Sequence, residues 1–364
     1  MSGIENFKCP NCGGAIEFDP NAQKLKCPYC SCEFDVEATI NSQTSLPSDN
    51  MVWQSQPKET YSETDDKNVV TYVCSSCGGS IICDTNTAAT TCPYCNSKVV
   101  LSGNVEGDLK PNYIIPFKLD KNSAKTKYLE HLKGKFFLPK VFKDENHINE
   151  LTGLYVPFWL FDADADATIR YRATKTRVWS DKEYNYTETS FFLCNRSGTV
   201  TFNHVPVDGS IRMDNQLMES IEPFDFTEAV PFNTAYFAGF VADKYDVSSD
   251  DTISRANERV KVSTEDAFRD TVVGYTSVNV QDSYVSMENG SASYAMYPVY
   301  ILNTTWNDKN YMFAMNGQTG KFVGNLPINK GKLFGFLFGL GIGLSALIYA
   351  VRWIIELLRF GGVI

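Results

Sequence analysis

The stretch "CPNCGGAIEFDPNAQKLKCPYC", Cys9 to Cys30, returns 65 residues later as "CSSCGGSIICDTNTAATTCPYC", Cys74 to Cys95. Each copy is a Cys-x2-Cys pair, fourteen intervening residues and a second Cys-x2-Cys pair. Such a pair bends into a tight turn whose amides face the thiolates. Two turns joined by a hairpin place four sulfurs at the corners of a tetrahedron, the geometry of structural Zn(II). Gly13 and Gly14, matched by Gly78 and Gly79, follow the second cysteine, where the chain must turn with positive φ. Pro28 and Pro93 stiffen the second turn, and Ile16 and Ile81 offer one apolar side chain each to a very small core. A module this short buries too little surface to fold alone, so metal supplies most of its folding free energy, on the order of 10 kcal/mol or more. The spacing predicts two zinc ribbons, residues 1–35 and 71–100, each with one structural Zn(II). The ligands are Cys9, Cys12, Cys27 and Cys30 in the first and Cys74, Cys77, Cys92 and Cys95 in the second. Four sulfur ligands leave no position for water, which argues against catalytic zinc.

Eleven cysteines in an exported chain would point to disulfides instead. The opening "MSGIENFKCPNC" has no apolar core of a signal peptide, so the thiolates are expected in a reducing compartment, free for metal. Cys83 takes the position that Phe18 holds in the first copy and reads as a small buried apolar group. Cys32, two residues past Cys30, reads as a bystander close enough to compete for the metal, and Cys194 as core.

Charge narrows the partner. The 364-residue chain carries a formal net charge of -10. Residues 1–35 hold Lys8, Lys24 and Lys26 against Glu5, Glu17, Asp19, Glu33 and Asp35, a net of -2; residues 70–100 hold only Lys98 and Asp84. Neither ribbon has the basic footprint that phosphate backbones require, so nucleic acid is disfavoured and a protein partner preferred. Residues 36–70, rich in Ser, Thr, Asp and Pro, read as a flexible linker, in which Trp53 is the one aromatic expected to dock on something.

From Leu333 to Val351, nineteen residues carry no charge. A helix of that length rises about 28 Å, close to the hydrocarbon thickness of a bilayer. Residues 333–351 are predicted to be a transmembrane helix, with Gly335, Gly339 and Gly343 four apart on a face suited to close helix packing. Lys330, Lys332 and Arg352 flank both ends, so charge does not orient the span. The zinc chemistry does: it puts the N-terminal bulk in the cytosol of a single-pass, tail-anchored protein of the cell membrane. Residues 352–364 are then a short apolar tail along the far headgroup layer.

Residues 111–327 read as an α+β body with a weak internal duplication. "YIIPFKLDKNSAKTKYLEHL" resembles "AGFVADKYDVSSDDTISRANERV", a strand, a turn with Ser123 or Ser248, then a helix. "LYVPFWLFDADADATIRYR" likewise resembles "MYPVYILNTTWNDKNYMFAM", a strand hairpin. The expected lobes are 111–205 and 230–327, with "NGQTG" a hairpin turn. Asp162, Asp164 and Asp166 alternate with alanines and read as a solvated strand face, since Ala167 and Ala173 stand where a calcium loop needs Gly and an acid. His131, His147 and His204 are scattered, and no hydrolase elbow, phosphate loop or dinucleotide fingerprint occurs, so no catalytic residue is assigned. Lys118, Lys121, Lys125, Lys127, Lys133 and Lys135 belong to a basic stretch interleaved with Phe136, Phe137 and Phe142. On a tethered protein it can rest on anionic headgroups; the plainer reading is a solvated helix face followed by a core strand.

The paired "CPNCGG…CPYC" and "CSSCGG…CPYC" modules, "IIPFKLDK", "GLYVPFWLFD", "MNGQTGKFVGNLP" and the terminal span together resemble bacterial membrane-anchored proteins with paired transcription-factor-IIB-type zinc ribbons. That resemblance covers nearly the whole chain. It implies two structural zinc ions on the eight cysteines, and membership of membrane-stress modules with flotillin-like (SPFH-domain) proteins and phage-shock protein A as partners. Two functions are expected from the sequence. The first is a non-enzymatic adaptor that binds protein partners at the membrane, motivated by acidic or neutral ribbons, one span and no catalytic constellation. The alternative is a membrane-tethered nucleic-acid-binding regulator, motivated by the ribbon type and the lysine stretch.

Overall fold

The computed structural model describes residues 7–43, 46–54, 59–62, 69–85, 91–103 and 108–360. In chain order the first strands are β1 (Glu17–Asp19), β2 (Lys24–Lys26), β3 (Glu33–Phe34), β4 (Asn50–Gln54), β5 (Val69–Cys74), β6 (Ser80–Asp84), β7 (Val99–Gly103) and β8 (Tyr113–Ile114). They are followed by β9 (Thr152–Ser180), β10 (Asn185–Asp208), β11 (Val230–Pro231), β12 (Val241–Asp243), β13 (Ser277–Trp306), β14 (Lys309–Asn316) and β15 (Phe322–Gly324). The main helices are α1 (Val36–Gln43), α2 (Lys121–His131), α3 (Ser249–Arg269) and α4 (Lys330–Phe360). The chain divides into two compact units. The first holds Met1–Pro57, Trp159–Val207 and Val247–Ser293, and the second Lys58–Phe158, Asp208–Asp246 and Tyr294–Ile364. Each expected lobe of the body contributes to both units.

In the first unit, β1, β2 and β3 form the small antiparallel sheet of ribbon 1, in which Leu25 faces Phe18 on one side and Phe34 on the other. Leu25 is buried; Phe18 is 49% exposed. The stretch expected to be a flexible linker is in part structured, carrying α1 and β4, and β4 pairs in parallel with β13. Trp53 is the reason. Its ring lies so close over Gly290 that a Cβ there would sit 2.5 Å from it, it meets Phe161 edge-to-face at 4.8 Å, and its indole N–H donates to Asn257 Oδ1 at 2.7 Å. One aromatic anchor thus ties down a segment whose composition reads as a tether.

The alternation of "DADADATIRY" sets the core of this unit. Ala163, Ala165, Ala167, Ile169 and Tyr171 point inward from β9 onto Val260 of α3 and Val285 and Met287 of β13. α3 starts where Ser248 accepts a hydrogen bond from the Asp251 N–H, with Asp250 and Asp251 in the first turn facing the helix dipole. Its buried residues Ser249, Thr252, Ala256, Val260 and Thr264 recur every three or four positions, which gives one packed stripe.

In the second unit the strand order is β11-β8-β13-β9-β12-β6-β5-β7, with β14 on β13 and β15 on β14. β5, β6 and β7 are the hairpins of ribbon 2. β12 joins them to the body: it runs antiparallel to β6, with Ala242 opposite Ile82, and parallel to β9, with Val241 opposite Leu154. α2, capped by Asp120 accepting from the Ser123 N–H, sends Ala124 and Tyr128 into a core with Leu138, Phe142, Tyr300 and Phe313. The "NGQTG" turn links β14 to β15, with Asn316 Oδ1 accepting from the N–H groups of Gln318 and Thr319.

α4 is long and apolar enough to cross a membrane: the candidate span Lys330–Leu357 contains an 18-residue stretch of mean hydropathy 2.0, none of it buried. The stretch after residue 351, expected as a short apolar tail, is helical as far as Phe360. Arg352 pairs with Glu356 one turn on and the helix continues to Phe360, because no glycine interrupts the strong helix formers there. Residues 361–364 lie outside the described residues.

Candidate metal centres

Four turns carry the cysteines, and all four share one backbone pattern. The first cysteine's N–H donates to the carbonyl five residues on, and its carbonyl accepts from the N–H four residues on. The partners are Gly14 and Gly13 for Cys9, Cys32 and Ser31 for Cys27, Gly79 and Gly78 for Cys74, and Ser97 and Asn96 for Cys92. The residue four on must adopt positive φ: Gly13 at 74°, Ser31 at 59°, Gly78 at 72° and Asn96 at 56°. Sequence reading found the glycines and missed Ser31 and Asn96. Aligning the two halves of each module, "CPNCGG" on "CPYCSC" and "CSSCGG" on "CPYCNS", exposes them.

The turns bring the eight predicted cysteines into two groups of four, each with all sulfurs within 4.8 Å of one another. Within them, Cys9 and Cys30 lie 3.5 Å apart, Cys12 and Cys27 3.5 Å, Cys74 and Cys95 3.5 Å, and Cys77 and Cys92 3.6 Å. A tetrahedron of sulfurs at Zn–S distances near 2.3 Å has edges of about 3.8 Å, so each group can hold one ion of that size. The crowded thiols hold their protons unequally: the Cys32 backbone N–H, ahead of the opposing desolvation and the neighbouring thiols Cys9 and Cys27, brings Cys30 down to about 6, while burial raises Cys9 and, against the Gly14 N–H, the thiols around Cys12 raise it. Cys32 itself stands outside the four: its carbonyl closes the turn and its sulfur accepts from Asn11 Nδ2 at 3.3 Å.

The two centres differ in their surroundings. Around the second, Arg212 donates from Nη2 to the Gly78 carbonyl at 3.0 Å while pairing with Asp246, and Asn303 Nδ2 donates to the Pro93 carbonyl. The Tyr94 hydroxyl is buried, as is Cys83. Beside them Asp243, fully buried, accepts from the Ser210 hydroxyl at 2.6 Å, and burial pushes its carboxyl up to about 7. In the first centre Tyr29, the counterpart of Tyr94, is 76% exposed, and Phe18, the counterpart of Cys83, is 49% exposed. Arg212 and Asn303 lie 134 and 210 residues from the turns they hold, a distance across which spacing carries no signal.

Over 340 residues the chain is 32% identical to the uncharacterized protein YdjG of Bacillus subtilis (strain 168), an alignment covering 93% of this chain and 95% of that protein. The chain belongs to the YdjG family. No family model and no solved structure matches it.

The remaining predicted residues fall as follows. Lys118 pairs with Glu228, Lys125 donates to Asn149, Lys127 pairs with Glu130 at 3.6 Å, and Lys135 shares a hydrogen bond with His131 at 2.7 Å. Lys121 and Lys133 are exposed. The cations are thus spread over a helix face and the loop after it. Gly335, Gly339 and Gly343 have open space around them on α4. Asp162, Asp164 and Asp166 line a cavity of about 430 Å3, and each accepts a hydrogen bond from β10: the His204 N–H, Thr201 and Thr199 respectively. The strand face expected there is the one present.

Proposed function

We propose that the chain is a non-enzymatic adaptor, held at the cytosolic face of the cell membrane by α4, that uses Zn(II)-loaded ribbons to bind protein partners. The observation that carries the reading is the contrast between the ribbons. Ribbon 2 is paired into the body's strands through β12, whereas ribbon 1 keeps a separate sheet and turns Phe18 and Tyr29 to solvent. Exposed aromatics on a small metal-rigidified sheet cost little side-chain entropy to bury, the usual composition of a protein-binding hot spot. Zinc is the metal of the proposal because four thiolates at these separations suit its tetrahedral, sulfur-rich preference. Flotillin-like proteins and phage-shock protein A are the partners this reading names, on resemblance alone. The reading also takes the body as two copies of strand, helix and hairpin, β8-α2-β9-β10 and β12-α3-β13-β14. In support, β8 lies parallel to β13 and β12 parallel to β9, a reciprocal arrangement.

Affinity purification of the full-length protein from detergent-solubilised membranes tests the proposal. Wild type is compared with a Cys12→Ser/Cys30→Ser variant and a Phe18→Ala/Tyr29→Ala variant that keeps the ligands. Membrane proteins that co-purify with wild type are expected to vanish with both variants. Nuclease-sensitive nucleic acid in the wild-type eluate without a protein partner would promote the regulator instead.

A further inference from the structure

The loop after α2, "KGKFFLPK" (Lys133 to Lys140), is joined to the first turns of α4 at three points. The Asn329 N–H donates to the Phe137 carbonyl at 2.8 Å, Lys332 Nζ donates to the Leu138 carbonyl at 2.7 Å, and the Phe137 ring meets Phe336 edge-to-face at 5.4 Å. Leu138 and Pro139 are buried and Gly134 takes the positive φ of 75° that turns the chain, so the loop is fixed. Its next residue outward, Phe136, is 83% exposed. Lys133 and Lys140 stand exposed on either side of it, and Ile328, just before α4, is 58% exposed. Phe136 is not a lone exposed ring: Ile328, Phe334 and Phe336 are exposed on the segment bonded to this loop, and apolar groups gathered in one region, unlike single ones, mark an interaction surface.

The contact with Phe336 gives the level of this loop. Phe336 lies six residues past Lys330, about 9 Å along the helix axis, where a span leaves the headgroups and enters hydrocarbon. A loop touching that turn sits at the same depth.

We infer that Lys133 to Lys140 is a second membrane contact, in which Phe136 inserts into the acyl boundary and Lys133 and Lys140 meet anionic phosphate headgroups. The inference rests on the reading of α4 as a membrane span. Aromatic side chains favour that interface, and each lysine near an anionic surface adds to the attraction. One span alone leaves the second unit free to swivel about its helix. A neighbouring loop seated in the same leaflet fixes its tilt.

The test uses the full-length protein in membranes with a photoreactive benzoylphenylalanine placed at position 136, 338 or 29, followed by mass analysis of the illuminated products. Phe338 is 72% exposed within α4 and reports the span; Tyr29 in ribbon 1 is the reference. Lipid adducts are expected at 136 and 338, each about tenfold above position 29. In vesicles of phosphatidylglycerol and phosphatidylcholine, Lys133→Glu with Lys140→Glu is expected to lower the yield at 136 about fivefold. Lipid adducts at 338 with none at 136 overturn the inference and leave the span standing. No lipid adduct at either position overturns both. A yield at 136 unmoved by the charge reversal overturns the headgroup contact.

Discussion

Ribbon 1 and ribbon 2 are the same twenty-two-residue module by spacing, and the fold uses them in different ways. The four turns, two in each ribbon, repeat one set of backbone bonds, so the four-sulfur group is built locally and identically. The outward residues differ. Where ribbon 1 has Phe18, ribbon 2 has Cys83, small enough to lie under the pairing of β6 with β12. Where ribbon 1 exposes Tyr29, ribbon 2 buries the hydroxyl of Tyr94 among Asp243, Ser210 and Arg212. The difference teaches that a four-cysteine module can be joined strand by strand to a larger sheet or keep a small sheet of its own with aromatics turned outward, and that the residues between the cysteines decide which.

The largest contrast is expected from removing a ligand. Cys77→Ser should strip ribbon 2 of metal worth on the order of 10 kcal/mol and unfold the second unit, read as loss of its cooperative thermal transition. Cys12→Ser should leave that transition in place. Equal damage from both would break the comparison. Next in size is the aliphatic pair. Ile81→Ala empties a fully buried position and should cost about 3 kcal/mol, whereas Ile16→Ala, at a half-buried position, should cost below about 1 kcal/mol; chemical denaturation of each variant measures the gap.

A pH contrast sharpens it further. Because burial raises the Asp243 carboxyl to about 7 in the folded protein, the stability it contributes is fully present below the ordinary carboxylate range. That contribution is lost as pH rises through about 7, at up to about 1.4 kcal/mol per pH unit. Asp243→Asn should flatten the fall of thermal stability between pH 5 and pH 7, read as the difference from wild type so that the pH dependence of metal binding common to both proteins cancels. A slope unchanged by the substitution would contradict the buried carboxyl. The smallest effect belongs to the turns: Ser31→Gly, at φ 59°, should stabilise ribbon 1 by roughly 0.5–1 kcal/mol, while Asn96→Gly should gain less because asparagine tolerates that conformation.

What the sequence disclosed was local. The cysteine spacing named all eight members of the two groups, the charge-free run after Leu333 marked α4, and Ser248 and "NGQTG" marked a helix start and a turn that are present. What it concealed depends on distant partners. Trp53 sits in a stretch with the composition of a tether, and its partners Phe161, Asn257 and Gly290, all more than 100 residues on, explain why it is ordered. The pairing of β12 with β6 leaves no trace in "FVADKY" beyond a short apolar run, and nothing near Arg212 or Asn303 signals that they hold the turns of ribbon 2. Phe136 and Phe137 were visible as aromatics among lysines, but their link to α4 was not.

The central claim is that one module is a cornerstone and the other a presented surface. It is tested most directly by stepwise chelation of the full-length, metal-loaded protein followed by amide hydrogen exchange. The account predicts two steps: ribbon 1 loses protection first and alone, and loss of metal from ribbon 2 then releases β6, β12 and the adjoining part of β9 together. Metal loss from ribbon 2 that leaves β12 and β9 protected, or loss from ribbon 1 that releases them, would contradict it.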